Sequence, residues 1–181
     1  LAAWNEKRKV MQAYDVTAEM YDERYSEEQN RKYRKALEHI NVEGATVLDV
    51  GCGSGLFFNH VAEKARLIVG VDLSHGLLLK AKQQAAGNVF VVQADADHLP
   101  LVDGFFEDVF SFTVLQNMPN PAATMVELKR VTGAGGKIAL TGLKKAFGLP
   151  KFMDLVEGSG MRLAAFVDEE AINCYIAVLT I

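Results

Sequence analysis

The spacing of apolar residues changes character near residue 45. Before it, Tyr14, Ala18 and Tyr21 recur at helical intervals, while residues 6–9 and 31–35 supply charge for a solvated face. A break around Tyr25 and Ser26 divides this stretch into two predicted helices, and Gly44 reads as its closing glycine. Beyond it, short apolar runs alternate with helical patterns. Strands are predicted at 45–50, 67–72, 88–94, 105–113 and 136–140, and helices at 54–64, 74–86, 121–131 and 149–157. Ser74 suits an N-cap, and Pro121 the first turn of its helix. Two further strands, 162–167 and 174–180, are joined by a short acidic link around Asp168 to Glu170. A parallel crossover needs about a dozen residues or more, so this last pair is antiparallel.

Strands alternating with helices imply a mostly parallel sheet covered on both faces. The predicted architecture is α/β, a doubly wound Rossmann-like sheet that ends in a reversed C-terminal strand. No linker, repeat or low-complexity tract interrupts the 181 residues, so one domain is expected over 1–181, with N-terminal helices over 1–43 and an α/β core over 44–181. Half of the residues are hydrophobic and the formal charge is −4, which removes any global positive field for nucleic acid or anionic lipid. Cys52 and Cys174 lie far apart without metal-ligand spacing, so neither a disulfide framework nor a metal site is expected. No run is long enough to span a bilayer and residues 4–9 are polar, unlike a signal peptide, making the cytoplasm the default location.

Candidate chemistry gathers in "LDVGCGSG", residues 48–55. Gly51, Gly53 and Gly55 follow a predicted buried strand, where ligands bind in open α/β sheets. Glycine there permits positive φ and lets a ligand approach the main chain, and a helix N-terminus favours its negative groups. Asp49 precedes the glycines, Asp72 ends the second strand about twenty residues later, and Asp95 ends the third. A carboxylate at Asp72 can accept from two ribose hydroxyls, and Asp95 can meet the edge of a base. A nicotinamide dinucleotide is disfavoured, because the third glycine of its G-x-G-x-x-G fingerprint falls on Leu56. A P-loop fails too, since no Gly-Lys-Ser/Thr follows.

"VLDVGCGSG", "VGVDLS", "VQADADHLPLVDGFFEDVFSF" and "GGKIAL" occur in the order and spacing of a known family. From about Tyr14 onward the chain resembles the class I S-adenosylmethionine-dependent methyltransferases, in the type 11 or UbiE-like branch of small-molecule quinone methyltransferases. The resemblance implies S-adenosyl-L-methionine as methyl donor and the strand order 3-2-1-4-5-7-6 over seven strands. It implies that Asp49, Gly51, Gly53 and Gly55 flank the methionine part, and that Asp72 with Leu73 holds the ribose. Asp95 with Ala96 then meets the adenine, while Thr113 and Gln116 lie beneath the cofactor. It also sets Tyr14 and Tyr21 on a helix that closes over the site, against the plain alternative of aromatic packing.

No catalytic base is identified. His98 reads as a solvated loop residue, and Gln116 and Asn117 orient an acceptor better than they accept a proton. "FTVLQNMPNP" lacks the Asn-Pro-Pro-Tyr-like tetrapeptide of related enzymes that methylate exocyclic or amide nitrogens. Little chain separates the later strands, so a substrate lid is small. The first expectation for the acceptor is a tRNA or another translation-related macromolecule; a quinone-like metabolite, or a silent cofactor-binding scaffold, stands beside it. "RKYRK" at 31–35 can touch RNA phosphates or form a solvated helix face, the latter favoured. The run Val89 to Val92 is apolar without alternation and falls on a sheet edge, a hazard if unpaired. Either a second chain covers it, as a small activator subunit or a homodimer partner, or the N-terminal helices do.

Overall fold

The computed structural model of the protein describes residues 2–17 and 21–181, with backbone alone at 17 and 21–25. Two helices, α1 (Ala2–Thr17) and α2 (Tyr21–Leu37), precede the sheet. There follow β1 (Thr46–Val50), α3 (Phe58–Val61), β2 (Leu67–Asp72), α4 (His75–Gln84), β3 (Val89–Gln93) and β4 (Phe106–Ser111). A single 3-10 turn (Leu115–Asn117) leads to α5 (Pro121–Val131), β5 (Thr132–Leu143), α6 (Leu149–Gly158), β6 (Arg162–Val167) and β7 (Cys174–Thr180). The sheet has seven strands in the order β3-β2-β1-β4-β5-β7-β6. β7 alone runs against its neighbours, pairing antiparallel with both β5 and β6.

Buried strands on a two-sided sheet need apolar residues on both faces, and β1 supplies them. Val47 packs with Tyr33, Ala36, Phe58 and Ala81, beneath α2, α3 and α4. Leu48 and Val50 point the other way, to Met125, Leu128, Phe152 and Val156 of α5 and α6. The first layer centres on aromatic rings: Tyr33 lies 5.1 Å from Phe57 and 4.8 Å from Phe112, and Phe57 lies 4.6 Å from Phe110. Tyr33 of the "RKYRK" segment is therefore core. Of its cations, Arg31 pairs with Glu27, Lys32 with Glu28, and Lys35 with Glu38 and Glu169.

Several boundaries differ from expectation. α2 runs unbroken through Tyr25 and Ser26, since that stretch holds no glycine or proline to stop it. It ends at Leu37, so Gly44 serves the later turn, at φ +69°. The helix expected over 54–64 keeps one regular turn, Phe58–Val61, because positive φ at Gly53 and Gly55 holds the preceding chain in turns. β5 begins directly after α5. Its glycines at 133, 135 and 136 form a bulge, in which Phe106 pairs with Thr132 but Asp108 with Lys137. Ser74 caps α4 by accepting from Leu77 N at 3.1 Å, as expected.

Phe152 on α6 is fully buried, its ring 5.5 Å from Tyr175 and 6.1 Å from Phe147. Gly142 makes room for it, since a Cβ there would stand 2.4 Å from the ring. Phe152→Ala is expected to cost about 3–5 kcal/mol. Urea unfolding should show a lower midpoint at unchanged slope.

Candidate functional site

A pocket opens over the carboxyl ends of β1, β2, β3 and β4. The turn after β1 builds its floor. Gly51 N and Cys52 N both donate to Val71 O, at 2.7 and 3.0 Å, which folds the chain back over β2. Gly51 takes φ +79°, and a Cβ on it would sit 2.1 Å from Val114 Cγ2. Asp72 then joins two loops. Its Oδ2 accepts from Gly53 N at 2.9 Å and its Oδ1 from Ser74 N at 2.8 Å. A carboxylate has about four lone-pair directions, so further acceptor capacity remains for a ligand.

Helix α1 roofs the pocket. Lys7, Val10, Met11 and Tyr14 recur at helical spacing and all line it. Lys7 was expected on a solvated face and is instead buried. Its alkyl stem covers apolar wall, while Nζ reaches Asp95 Oδ1 and Oδ2 at 2.8 and 2.9 Å and Asp97 Oδ2 at 2.5 Å. Burial works to lower the Lys7 pKa; the hydrogen bonds and charge of Asp95 and Asp97 outweigh it and hold the group above its usual value. At the helix's other end, Asp15 Oδ1 accepts from Gly76 N at 2.9 Å and from the Ser74 hydroxyl. α1 is thus pinned to both the β3 tip and the start of α4.

Of the residues singled out in the sequence, Gly51, Gly53, Asp72, Leu73, Asp95, Ala96 and Thr113 line this pocket, as does Tyr14. Asp49 lies behind the wall, 2% exposed. Gly55 serves packing: a Cβ there would stand 2.7 Å from the Phe58 ring and 3.1 Å from Ala81 Cα. The Tyr21 side chain lies outside the described residues. His98 is exposed and does not line the pocket. Lys7, Val10 and Met11 went unrecognised, although their regular spacing with Tyr14 was a readable signal.

Gln116 faces a second, adjoining pocket with Gln29, Lys32, Lys144 and Asn173. Tyr14, Thr113 and Asn117 border both spaces, so the two meet there. Thr113 adopts φ +63°, a costly conformation for a branched residue. It is held by its N–H to Thr141 Oγ1 at 2.8 Å, and its hydroxyl accepts from Gln29 Nε2 and Lys32 Nζ at 3.1 and 3.2 Å. Asn117 Nδ2 donates to Tyr14 Oη at 3.3 Å, tying α1 to the same junction. Among the described residues, no cluster of three or more His, Cys, Asp or Glu could hold a metal ion, and no helix is long and apolar enough to cross a membrane.

These features suit a nucleoside with a cationic amino-acid tail. Bare main chain at Gly51 and Gly53 leaves room beside the turn, Asp72 presents acceptor oxygens, and Leu73 and Leu77 offer apolar wall. Burial, and then the charge of Asp72, pushes the Asp49 carboxyl up to about 8, so a cation arriving nearby would favour its ionised form.

The raised Asp49 pKa carries a sign for stability. The folded chain holds this proton more tightly than an unfolded carboxyl of 3.8, so the stabilisation is complete below that value and is lost as pH rises through about 8. Thermal unfolding of the unliganded protein across this range should show Asp49→Asn losing less stability with rising pH than the parent.

Residues 48–140 match the family model described as a methyltransferase domain. A malonyl-[acyl-carrier protein] O-methyltransferase of Hamiltonella defensa is 29% identical over 76% of this chain and 53% of its own length. A tRNA U34 carboxymethyltransferase of Aliivibrio fischeri is 34% identical over 60% of this chain and 36% of its own. The chain therefore spans about half, or less, of the length of these relatives. Among solved structures, a Haloferax volcanii methyltransferase in complex with the Trm112 methyltransferase activator superposes with a TM-score of 0.82 at 17% identity, covering 94% of this chain and 96% of that one. With its glycine turn, acid-tipped strands and reversed β7, the chain belongs to the methyltransferase domain family and has the class I S-adenosylmethionine-dependent fold.

Proposed function

We propose that the chain works as one methyltransferase domain that moves a methyl group from S-adenosylmethionine to an acceptor entering through the second pocket. One observation carries this reading: the pocket at the strand ends and its neighbour share Tyr14, Thr113 and Asn117, a common border where donor and acceptor can meet. In it, Asp72 and Leu73 hold the ribose, Asp95 and Ala96 meet the adenine, and Gly51 and Gly53 take the methionine end above Asp49. Gly55 keeps the turn closed, and Tyr21 belongs to the cover formed by residues 1–43. The sulfonium supplies an activated methyl carbon, and the chain's own task is to align the acceptor with it and exclude water. Asp95 must share its carboxylate between Lys7 and the purine, so α1 and the donor report on each other.

For the acceptor, a tRNA or other translation-related macromolecule draws support from the tRNA-modifying relative. Against it, the "RKYRK" cations Arg31, Lys32 and Lys35 are engaged by carboxylates of the protein itself. A compact acceptor, free or borne on a carrier, draws support from the malonyl-carrier relative. The partner reading rests on the other edge of the sheet. β3 is terminal, with Phe90 57% exposed, and Leu79 on adjacent α4 is 53% exposed. α1 is spent on the pocket roof and the start of α4. A small activator subunit adding a strand beside β3 would cover this surface, and the structural neighbour is itself in complex with an activator.

Asp72→Ala is expected to weaken S-adenosylmethionine binding at least tenfold by calorimetry, about 1.4 kcal/mol. Unchanged affinity would mean that the sugar lies elsewhere. Methyl-labelled donor incubated with fractionated cell extract should mark small molecules or a carrier protein; label confined to RNA would reverse the choice of acceptor. For the partner, chromatography of the purified chain with simultaneous assay decides: a soluble monomer fully active alone removes the activator.

A further inference from the structure

α1 does more than roof the first pocket; it fills much of it. The helix is anchored to the pocket's surroundings at three places: Lys7 on Asp95 and Asp97, Tyr14 on Asn117, and Asp15 on Ser74 and Gly76. Gly76 permits this closeness, since a Cβ there would stand 3.2 Å from Asp15 Oδ1 and 3.3 Å from Asp15 Cα. Between these anchors Val10 and Met11 line the space. About 90 Å³ remains open beneath them, whereas sites that enclose small organic ligands hold about 300–1,000 Å³. With α1 in this position, the donor assigned to the pocket has too little room.

Asp95 is engaged as well. Its Oδ1 accepts from Lys7 Nζ and from Asp97 N, at 2.8 and 3.1 Å, and its Oδ2 accepts from Lys7 Nζ at 2.9 Å. Most of the acceptor capacity of the carboxylate is thus taken, and the ammonium offsets its charge. Ammonium and exocyclic amine are both N–H donors, so Lys7 makes to Asp95 the kind of bond the proposed purine would make. Asp97 completes the hold. Its Oδ2 accepts from Lys7 at 2.5 Å and its Oδ1 from the hydroxyl of Thr124, fully buried on α5, at 2.5 Å.

What keeps α1 in place is docking rather than propensity. No acidic residue occupies its first turn and no basic residue its last, so neither end offsets the helix dipole. Asp15 caps the neighbouring α4 at the cost of opposing the dipole of its own helix. A detached helix of 16 residues with such ends is marginal in water, so the position of α1 responds to the loss of a few contacts.

We propose that α1 is an internal competitor of the donor: docked through Lys7 it blocks the base end of the pocket, and the donor binds only as Lys7 gives up Asp95 and α1 moves out. The inference rests on the donor reading above, and it makes the sharing of Asp95 between Lys7 and the purine an exclusive one. A site that is open for a fraction of the time binds its ligand more weakly by that fraction. A partner that held α1 away would therefore raise donor affinity without touching the pocket.

Trp4, the chain's single tryptophan, lies one turn before Lys7 on α1 and is 44% exposed, so it reports on release directly. Titration with S-adenosylhomocysteine should shift Trp4 emission to the red and speed hydrogen exchange of the α1 amides. By calorimetry, Lys7→Met and Asp97→Asn should each bind it about threefold or more tightly than the parent, with Lys7→Arg close to the parent. Asp97→Asn leaves Asp95 in place and weakens only the hold on Lys7. Slower α1 exchange with ligand, or failure of both variants to tighten binding, overturns the inference, because a cover that closes on its ligand behaves that way. If no form binds S-adenosylhomocysteine, Lys7→Met included, the donor assignment itself falls and the inference with it.

Discussion

Two neighbouring acids, one buried behind the pocket wall and one half-buried in it, constrain everything around them. Asp49 and Asp72 lie at the ends of adjacent strands, where the charge of Asp72 adds to burial in raising the energy of the ionised Asp49. Asp72 is made tolerable by main-chain donors, Gly53 N and Ser74 N, and those same bonds set the shape of both loops. Asp49 has burial as its dominant influence and holds its proton to about 8. Such an arrangement costs stability, which a cation bound beside it would offset. The glycines, the positive φ at Gly51 and the close approach of Val114 follow from keeping backbone rather than side chains above these acids.

Much of the fold was legible because its central strands, such as β1 and β4, are buried on both faces. The continuous apolar runs at 45–50 and 67–72 mark strands and the short acidic link reverses the last one, whereas the strand order followed from the family resemblance. The boundaries that moved did so for local reasons. Tertiary turns at Gly53 and Gly55 override the helical pattern of 54–64, and the glycine bulge lets β5 start where periodicity shows only a turn. The pocket-lining acids and glycines were equally readable, since strand ends are fixed by the sheet. Lys7 was not. Its partners, Asp95 and Asp97, lie 88 and 90 residues away, and a lysine on a charged helix gives no local sign of burial. The same holds for "RKYRK", where Tyr33 enters an aromatic cluster built from α3 and β4 flanks that the helix itself cannot foretell.

The N-terminal helices have separate tasks on neighbouring spaces. α1 lends one face, Lys7 to Tyr14, to the pocket at the strand ends, and α2 lends Glu28, Gln29 and Lys32 to the adjoining one. Thr113 receives both contributions, through Tyr14 and Asn117 on one side and Gln29 and Lys32 on the other. Its unfavourable backbone angle is sustained by this convergence. Because Gln29 and Lys32 hold Thr113, which borders both pockets, substitution on α2 bears on the wall of each.

The placement of β7 has a consequence for biosynthesis. It follows β6 in the chain yet lies between β5 and β6 in the sheet, with seven residues of β5 registered against it. Until β7 leaves the ribosome, β6 has no neighbour and β5 presents an open flank. The sheet cannot be finished in the order in which it is translated. An emerging chain must keep that gap from capturing a foreign strand, which makes the interval before β7 appears the moment of greatest exposure to misassembly.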